Sequence, residues 1–274
     1  MTHTSGVHVR LVTFADGSLR WRLAGQRLER QASRGGWFSS IHRWTAQALH
    51  RAIPQFRRDN PGLAVDGVRG YGYWLWRPYI LAHELRSLEK GECLLFLDAG
   101  CQLNQNSRSL ARFQAYLDMT MEHSNLIMEI EEPLDRWCKR DLLEEFALGH
   151  SPGAISLIEP GVFFMTKTKG NEELIANWIQ WGRAEDYHYI DDSPSSLSES
   201  AAFREHRHDQ AILTGLSTRH SIHTLPQETY FPHSWRQQGA NYPIWALRNN
   251  TPFNLEGTGP ISKMVTKLRN SRNR

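Results

Sequence analysis

Between His8 and Ala15 the chain reads HVRLVTFA, a stretch rich in β-branched and aromatic residues that stops at Asp16-Gly17. Such a run predicts a buried first strand followed by a turn, with a carboxylate at the strand's carboxyl end. Trp37, Phe38, Ile41, Trp44 and Leu49 then recur at near-helical spacing. Tyr73 to Leu88 (YWLWRPYILAHELRSL) predicts an amphipathic helix with Pro78 near its first turn. After Lys90-Gly91 comes Cys93 to Leu97 (CLLFL), closed by Asp98-Ala99-Gly100. An uninterrupted apolar run of this kind fits a strand covered on both faces.

The alternation continues with a helix over Ser107 to His123, a strand over Asn125 to Ile130 and a helix over Pro133 to Leu148. Two short strands follow, Ile155 to Ile158 and Val162 to Thr166, joined by a turn at Glu159-Pro160-Gly161. A helix over Asn171 to Trp181 comes next, and Asp191 to Ser200 (DDSPSSLSES) reads as a polar surface connection. The class is therefore α/β. Ligands of open α/β sheets bind outside the carboxyl ends of the strands, which makes Asp16 and Asp98 candidates for one crevice.

Composition narrows this picture only in part. A chain of 274 residues with 40% hydrophobic content can bury one sizeable core. We expect one main domain over 1–255 and a basic tail over 256–274. A net charge of +3 is too small to indicate a nucleic-acid binder, though it suits an anionic ligand such as a sugar diphosphate. Cys93, Cys101 and Cys138 have no paired spacing, which favours a reducing compartment. The N-terminal stretch lacks the apolar core of a signal peptide, and no segment reaches the roughly 18 apolar residues of a membrane span. These features lead to the expectation of a cytoplasmic protein.

Two segments carry chemistry. In CLLFLDAGC an apolar strand delivers Asp98 to the sheet edge, and two small residues then leave room for a ligand. In Phe203 to Leu216 (FREHRHDQAILTGL) two histidines, two arginines and an Asp-Gln pair stand just before an apolar helical stretch. The plainer reading of the second is a solvated turn with Asp209 as a helix N-cap. Asp16 reads first as the initiator of its Asp-Gly turn, Arg77 as an arginine reaching out of the core edge, and Asp141 as a helix-surface charge.

Together these segments resemble glycosyltransferases of the GT-A fold, particularly bacterial and viral sugar transferases with the layout Y-G-Y-W-x-W-[RK]-P, L-D-A-G and H-R-H-D-Q. Here those motifs stand at Tyr71 to Pro78, Leu97 to Gly100 and His206 to Gln210. Trp137 to Asp141 and Glu159 to Gly161 look like further family elements, and the resemblance spans most of residues 8 to 220. It implies a single catalytic domain with a Rossmann-like mixed sheet flanked by helices. The implied activity is transfer of a sugar from a UDP- or GDP-linked donor to a hydroxyl of a glycan, lipid-linked or small-molecule acceptor, as in polysaccharide biosynthesis.

By the same resemblance Asp209, Gln210 and His208 lie near the anomeric carbon. Asp16, Arg77, Asp98, Ala99, Gly100, Lys139, Arg140, Gly161 and Arg207 contact the nucleotide sugar. If the enzyme inverts, Asp209 is the general base; if it retains, the region stabilises an oxocarbenium-like centre, and the likeness of the Asp-Gln pair to glycogenin-like enzymes favours retention. A divalent Mn²⁺ or Mg²⁺ would bind Asp98 with His208, or with His206, His223 or His233 as alternatives.

One departure from the Asp-x-Asp pattern bears on that metal, because Gly100 stands where the second carboxylate belongs. Arg77, Lys139, Arg140 and Arg207 offer another way to neutralise the diphosphate. A nucleotidyltransferase is a rival reading, but the chain has neither G-x-x-x-x-G-K-[ST] nor G-x-G-x-x-G. A sugar-binding protein that kept the fold without catalysis is another. In the tail, Ile261, Met264, Val265 and Leu268 form an apolar stripe among basic residues, which predicts peripheral contact with an anionic membrane.

Overall fold

The HVRLVTF run forms β1 (His8–Phe14), extended between two parallel neighbours. This computed structural model describes residues 6–65, 67–150, 152–231 and 233–254, and the basic tail expected over 256–274 lies outside them. Along the chain, β1 is followed by α1 (Leu19–Gly35), β2 (Ser40–Trp44), α2 (Ala46–Ala52), α3 (Pro54–Asp59), a kinked turn α4 (Gly70–Tyr73) and α5 (Trp76–Arg86). Next come β3 (Glu92–Leu97), β4 (Gln102–Leu103), α6 (Ser107–His123), β5 (Asn125–Pro133), α7 (Arg140–Glu145) and β6 (Ser156–Thr166). The last described elements are α8 (Lys169–Arg183), α9 (His208–Leu216), β7 (Thr224–Leu225) and β8 (Ile244–Trp245).

The expected α/β class, with a mixed sheet flanked by helices, is present. Six strands lie in the order β2-β1-β3-β6-β5-β7, and β4 and β8 make a separate two-stranded sheet. β1 is parallel to β2 and β3, β6 is antiparallel to both β3 and β5, and β5 is parallel to β7. Hence β6 alone opposes the other five. Alternation along β3 divides its side chains between two cores, as the pleat requires. Leu94 and Phe96 join Ile80, Leu81, Trp178 and Ile212 on one face, whereas Cys93, Leu95 and Leu97 join Leu28, Phe113 and Leu117 on the other. Each fully buried Leu or Phe here contributes about 1.5–3 kcal/mol relative to exposure.

Four segments differ from the sequence expectation. The near-helical spacing of residues 37–49 is a strand followed by a helix, because Arg10 to Phe14 of β1 pair with Ser40 to Trp44 and draw that stretch into the sheet. The helix expected from Tyr73 starts at Trp76, since Tyr71, Gly72, Tyr73 and Trp74 all have positive φ, between 52° and 87°. Left-handed backbone cannot continue a right-handed helix. The long helix expected over Pro133 to Leu148 contracts to α7, because the first residues extend β5 and Leu134–Arg136 form a 3₁₀ turn.

The fourth difference shapes the site. The two strands expected around Glu159 are one strand, β6, in which Glu159-Pro160-Gly161 form a bulge. On β5 the pairing advances from Ile127 to Glu129 while on β6 it moves from Phe163 to Ile158, so the intervening residues of β6 have no ladder partner on β5. Bulges of this kind bend a strand and re-aim its side chains.

Candidate functional site

Asp98 follows directly on β3 and is held by its backbone, its N–H donating to Gly161 O of the bulge at 2.8 Å. Its carboxylate rests against the same glycine, where an added Cβ would stand 2.5 Å from Asp98 Oδ2. Glycine at 161 is therefore a requirement of close approach. One oxygen of Asp98 accepts from Arg77 Nη2 at 3.0 Å, yet the side chain stays 46% exposed.

Arg77 itself is buried at 2% exposure in α5, its guanidinium 5.3 Å from the ring centroids of both Trp76 and Phe96. Its other terminal nitrogen donates to Asp209 Oδ2. Asp209, in the first turn of α9, has a side chain only 5% exposed. Thus one arginine from α5 couples carboxylates brought from β3 and α9. The N-cap position of α9 belongs to Arg207, so Asp209 is not the helix cap of the plainer sequence reading. Gln210 beside it donates from Nε2 to Ile158 O at 2.8 Å, which ties α9 to β6.

Behind the 98–101 loop lies a second buried arginine that sequence reasoning missed. Arg27 of α1 donates from Nη2 to Ala99 O at 2.8 Å and Cys101 O at 2.7 Å, while its Nε and Nη1 have no partner. Burial pulls its pKa down to about 10, so it is charged at neutral pH. In front of the loop, Asn249 N donates to Gly100 O at 2.9 Å. A Cβ at Gly100 would lie 3.0 Å from Arg248 Cα, and Arg248 has a φ of 52°. The strap at 248–249 thus packs against the position where the side chain of a second Asp-x-Asp carboxylate would begin.

Glu159 is a further carboxylate of this site, read from the sequence as part of a turn and of a family element but not as a site residue. Its Oε2 accepts from Thr229 Oγ1 at 2.5 Å and Gln227 Nε2 at 3.4 Å. Burial pushes its pKa up, partly countered by the Thr229 hydroxyl, and the charge of Asp98 adds to the rise. No local sequence signal marks it, because the bulge that turns it inward arises from cross-strand pairing.

His208 opens α9 with φ 49° and is almost wholly buried, edge-on to Tyr73 and Trp74 at 5.1 and 5.5 Å. Nδ1 has no partner, and Nε2 lies 3.3 Å from Asp192 Oδ1 without the alignment of a hydrogen bond. Burial and the nearby Arg69 lower its pKa to about 3, so the ring is neutral at pH 7 and the Asp192 contact is no ion pair. Arg207 lies 4.2 Å from the Trp137 ring and pairs with Glu205 at 3.0 Å, with a buried Nε left unpartnered.

The remaining candidates hold structure together. Lys139 Nζ donates to His188 O, Asp191 Oδ1 at 3.1 Å and Ser193 O at 2.9 Å, which commits the ammonium to the 188–193 segment. Asp141 accepts from His188 Nε2, Ser196 N and Leu197 N, bracing the same segment. Arg140 pairs with Glu144 one turn on, and its N–H donates to Glu199 at 3.0 Å. Asp16 accepts from Ala46 N at 2.7 Å and Gly17 N at 2.8 Å, as the turn reading anticipates.

The expected divalent ion fits this donor set poorly. No group of three or more His, Cys, Asp or Glu able to hold a metal occurs among the described residues. His208 is neutral with both ring nitrogens unpartnered, but Asp98 is already bound to Arg77, and both ring nitrogens of His206 are used, by Lys139 N and Tyr189 O. His223 stacks on His123 at 3.8 Å, and His233 is exposed.

No protein-family model matches the chain, and no curated protein sequence matches it. Solved structures do align with it. Mouse xyloside xylosyltransferase 1 in its apo form has a TM-score of 0.48 at 13% identity, covering 90% of this chain and 99% of that one. A glycosyltransferase involved in glycosylation of the major capsid of PBCV-1 gives 0.48 at 8%, covering 95% and 99%. The galactosyltransferase LgtC, in complex with donor and acceptor sugar analogues, gives 0.49 at 12%, covering 96% and 95%.

Proposed function

We propose that this protein is a glycosyltransferase of the GT-A type that moves a sugar from a UDP- or GDP-linked donor to a hydroxyl of a glycan or lipid-linked acceptor. The observation that carries the reading is the half-exposed carboxylate of Asp98 at the carboxyl end of β3, coupled through Arg77 to Asp209. Open α/β sheets bind ligands at that edge, and a nucleotide sugar offers ribose hydroxyls and a diphosphate to be recognised there.

In the proposed reaction the bond from C1 to the diphosphate oxygen breaks, with its electron pair leaving on the diphosphate. A new bond joins C1 to the acceptor oxygen, and the acceptor proton passes to a departing phosphate oxygen. Retention is favoured because Asp209 is ion-paired and buried, which suits a positioning residue better than a general base. Gln210, anchored through its amide nitrogen, leaves its amide oxygen to meet positive charge developing at C1.

A second reading, a nucleotide-sugar-binding protein without turnover, draws on the missing carboxylate at Gly100. The test is a panel of UDP- and GDP-sugars incubated with the protein, with and without glycan acceptors, and scored for nucleotide release. Release that falls at least a hundredfold in Asp98→Asn supports transfer. Tight donor binding with no release supports the second reading, and neither binding nor release sinks both.

A further inference from the structure

Resting on the glycosyltransferase reading, we infer that the donor's diphosphate is seated by arginines, chiefly Arg248 and Arg207 with Arg27 beneath the loop, and that no divalent metal takes part. Three independent features carry this. The strap at 248–249 lies against Gly100 so closely that a side chain there would meet Arg248 backbone at 3.0 Å, so a second acidic ligand fits only if the strap gives way. The same strap carries Arg248, an exposed arginine whose backbone lies beside Gly100. One element thus borders the place of the missing carboxylate and carries a cation.

The second feature is Arg27. Its guanidinium is almost fully buried, its hydrogen bonds among the described residues run to carbonyl oxygens of the 98–101 loop, and two of its nitrogens are unpartnered there. A buried charge without a counter-ion is costly, and an anion arriving at the loop offsets that cost. The third is Arg207, whose buried Nε has no partner and whose guanidinium, paired with Glu205 at 3.0 Å, lies within electrostatic reach of Arg248. Forked donors suit a diphosphate, whose oxygens accept pairs of parallel hydrogen bonds.

Of the acidic residues nearby, Asp98 shares the Arg77 guanidinium with Asp209, and burial raises the pKa of Glu159. The leaving diphosphate then gains its stabilisation from fixed cations, whose positions need no ion to be recruited before each turnover.

The experiment is calorimetry on the full chain with UDP, GDP and inorganic pyrophosphate as probes, in EDTA and in Mn²⁺, for the native protein and for Arg248→Gln, Arg207→Gln and Arg248→Lys. Thermal unfolding confirms that each variant folds. We expect nucleotide affinity in EDTA within about threefold of that in Mn²⁺, a loss of at least tenfold in either glutamine variant, and a smaller loss in Arg248→Lys. Binding that requires Mn²⁺, or glutamine variants of unchanged affinity, overturns the inference while leaving the glycosyltransferase reading intact. Arginine-dependent binding of pyrophosphate in EDTA without binding of either nucleotide keeps the anion seat and removes that reading. No binding of any probe overturns both.

Discussion

Two buried polar regions of this protein differ in how completely their atoms are used. Around Lys139 and Asp141, ammonium, carboxylate, hydroxyl and backbone groups of residues 188–197 satisfy one another, and none of the side chains of Lys139, Asp141, Asp191 or Ser193 keeps a buried atom unpartnered. Around the 98–101 loop and the start of α9, unpartnered nitrogens remain on Arg27, Arg77, Arg207 and His208. Buried polar groups are normally paired, so a concentration of exceptions needs an account. The first region behaves as scaffold. The second keeps buried nitrogens that the described residues leave unpaired.

The largest test of this contrast falls on Arg77, the member of the second region that also holds structure. Arg77→Met strands the buried carboxylate of Asp209, and breaking a buried pair in this way should cost about 3–5 kcal/mol in thermal unfolding. A melting temperature unchanged within about 2 °C would mean that the coupling of Asp98 and Asp209 is not structural.

Asp141 tests the scaffold through pH. Burial alone would raise its pKa, but the N–H of Ser196, the His188 ring and the N–H of Leu197 outweigh this and lower it to about 2 from an ordinary 3.8. A depressed carboxylate adds stability that is complete above the unfolded value and disappears as pH falls through the folded one. Asp141→Asn should therefore be destabilised by about 1 kcal/mol at pH 7. The difference from the native protein should shrink between about pH 4 and 2 in chemical denaturation. A gap that persists at pH 2 would place the effect in packing.

The smallest effect belongs to His208, whose neutral ring makes no hydrogen bond. Replacing an unsatisfied polar ring by an apolar one of similar shape is close to neutral, so His208→Phe should stay within about 0.5–1 kcal/mol of the native stability. A larger loss, measured by denaturant unfolding, would show that the ring is already paired and belongs with the scaffold.

Much of this arrangement could be read from residue order, and the failures have identifiable causes. β1, β3 and α6 were legible because apolar runs and a 3.6-residue stripe carry their own periodicity. Asp98 and Asp209 were legible because a carboxylate after an apolar strand, and one opening an apolar helix, are local patterns. The helix α1 was missed because its buried face is Ala24, Gly25, Arg27, Leu28 and Ala32, with one large apolar residue and a charge where a stripe would be sought. The bulge at Glu159 was missed because only pairing with distant β5 reveals it. The partners of Lys139 were not legible because they stand some fifty residues away in the chain.

The contact between Gly100 and the strap also limits how sequences related to this one could change. Gly100→Asp looks like a one-step route to a two-carboxylate metal site, but the new Cβ would meet backbone atoms of Arg248 at 3.0 and 3.2 Å, which cannot swing aside as a side chain could. The substitution asks the 248–249 segment to give by a few tenths of an ångström, a shift that the Asn249 hydrogen bond to Gly100 resists. The stiffness of the strap therefore sets how readily a related sequence could gain the carboxylate.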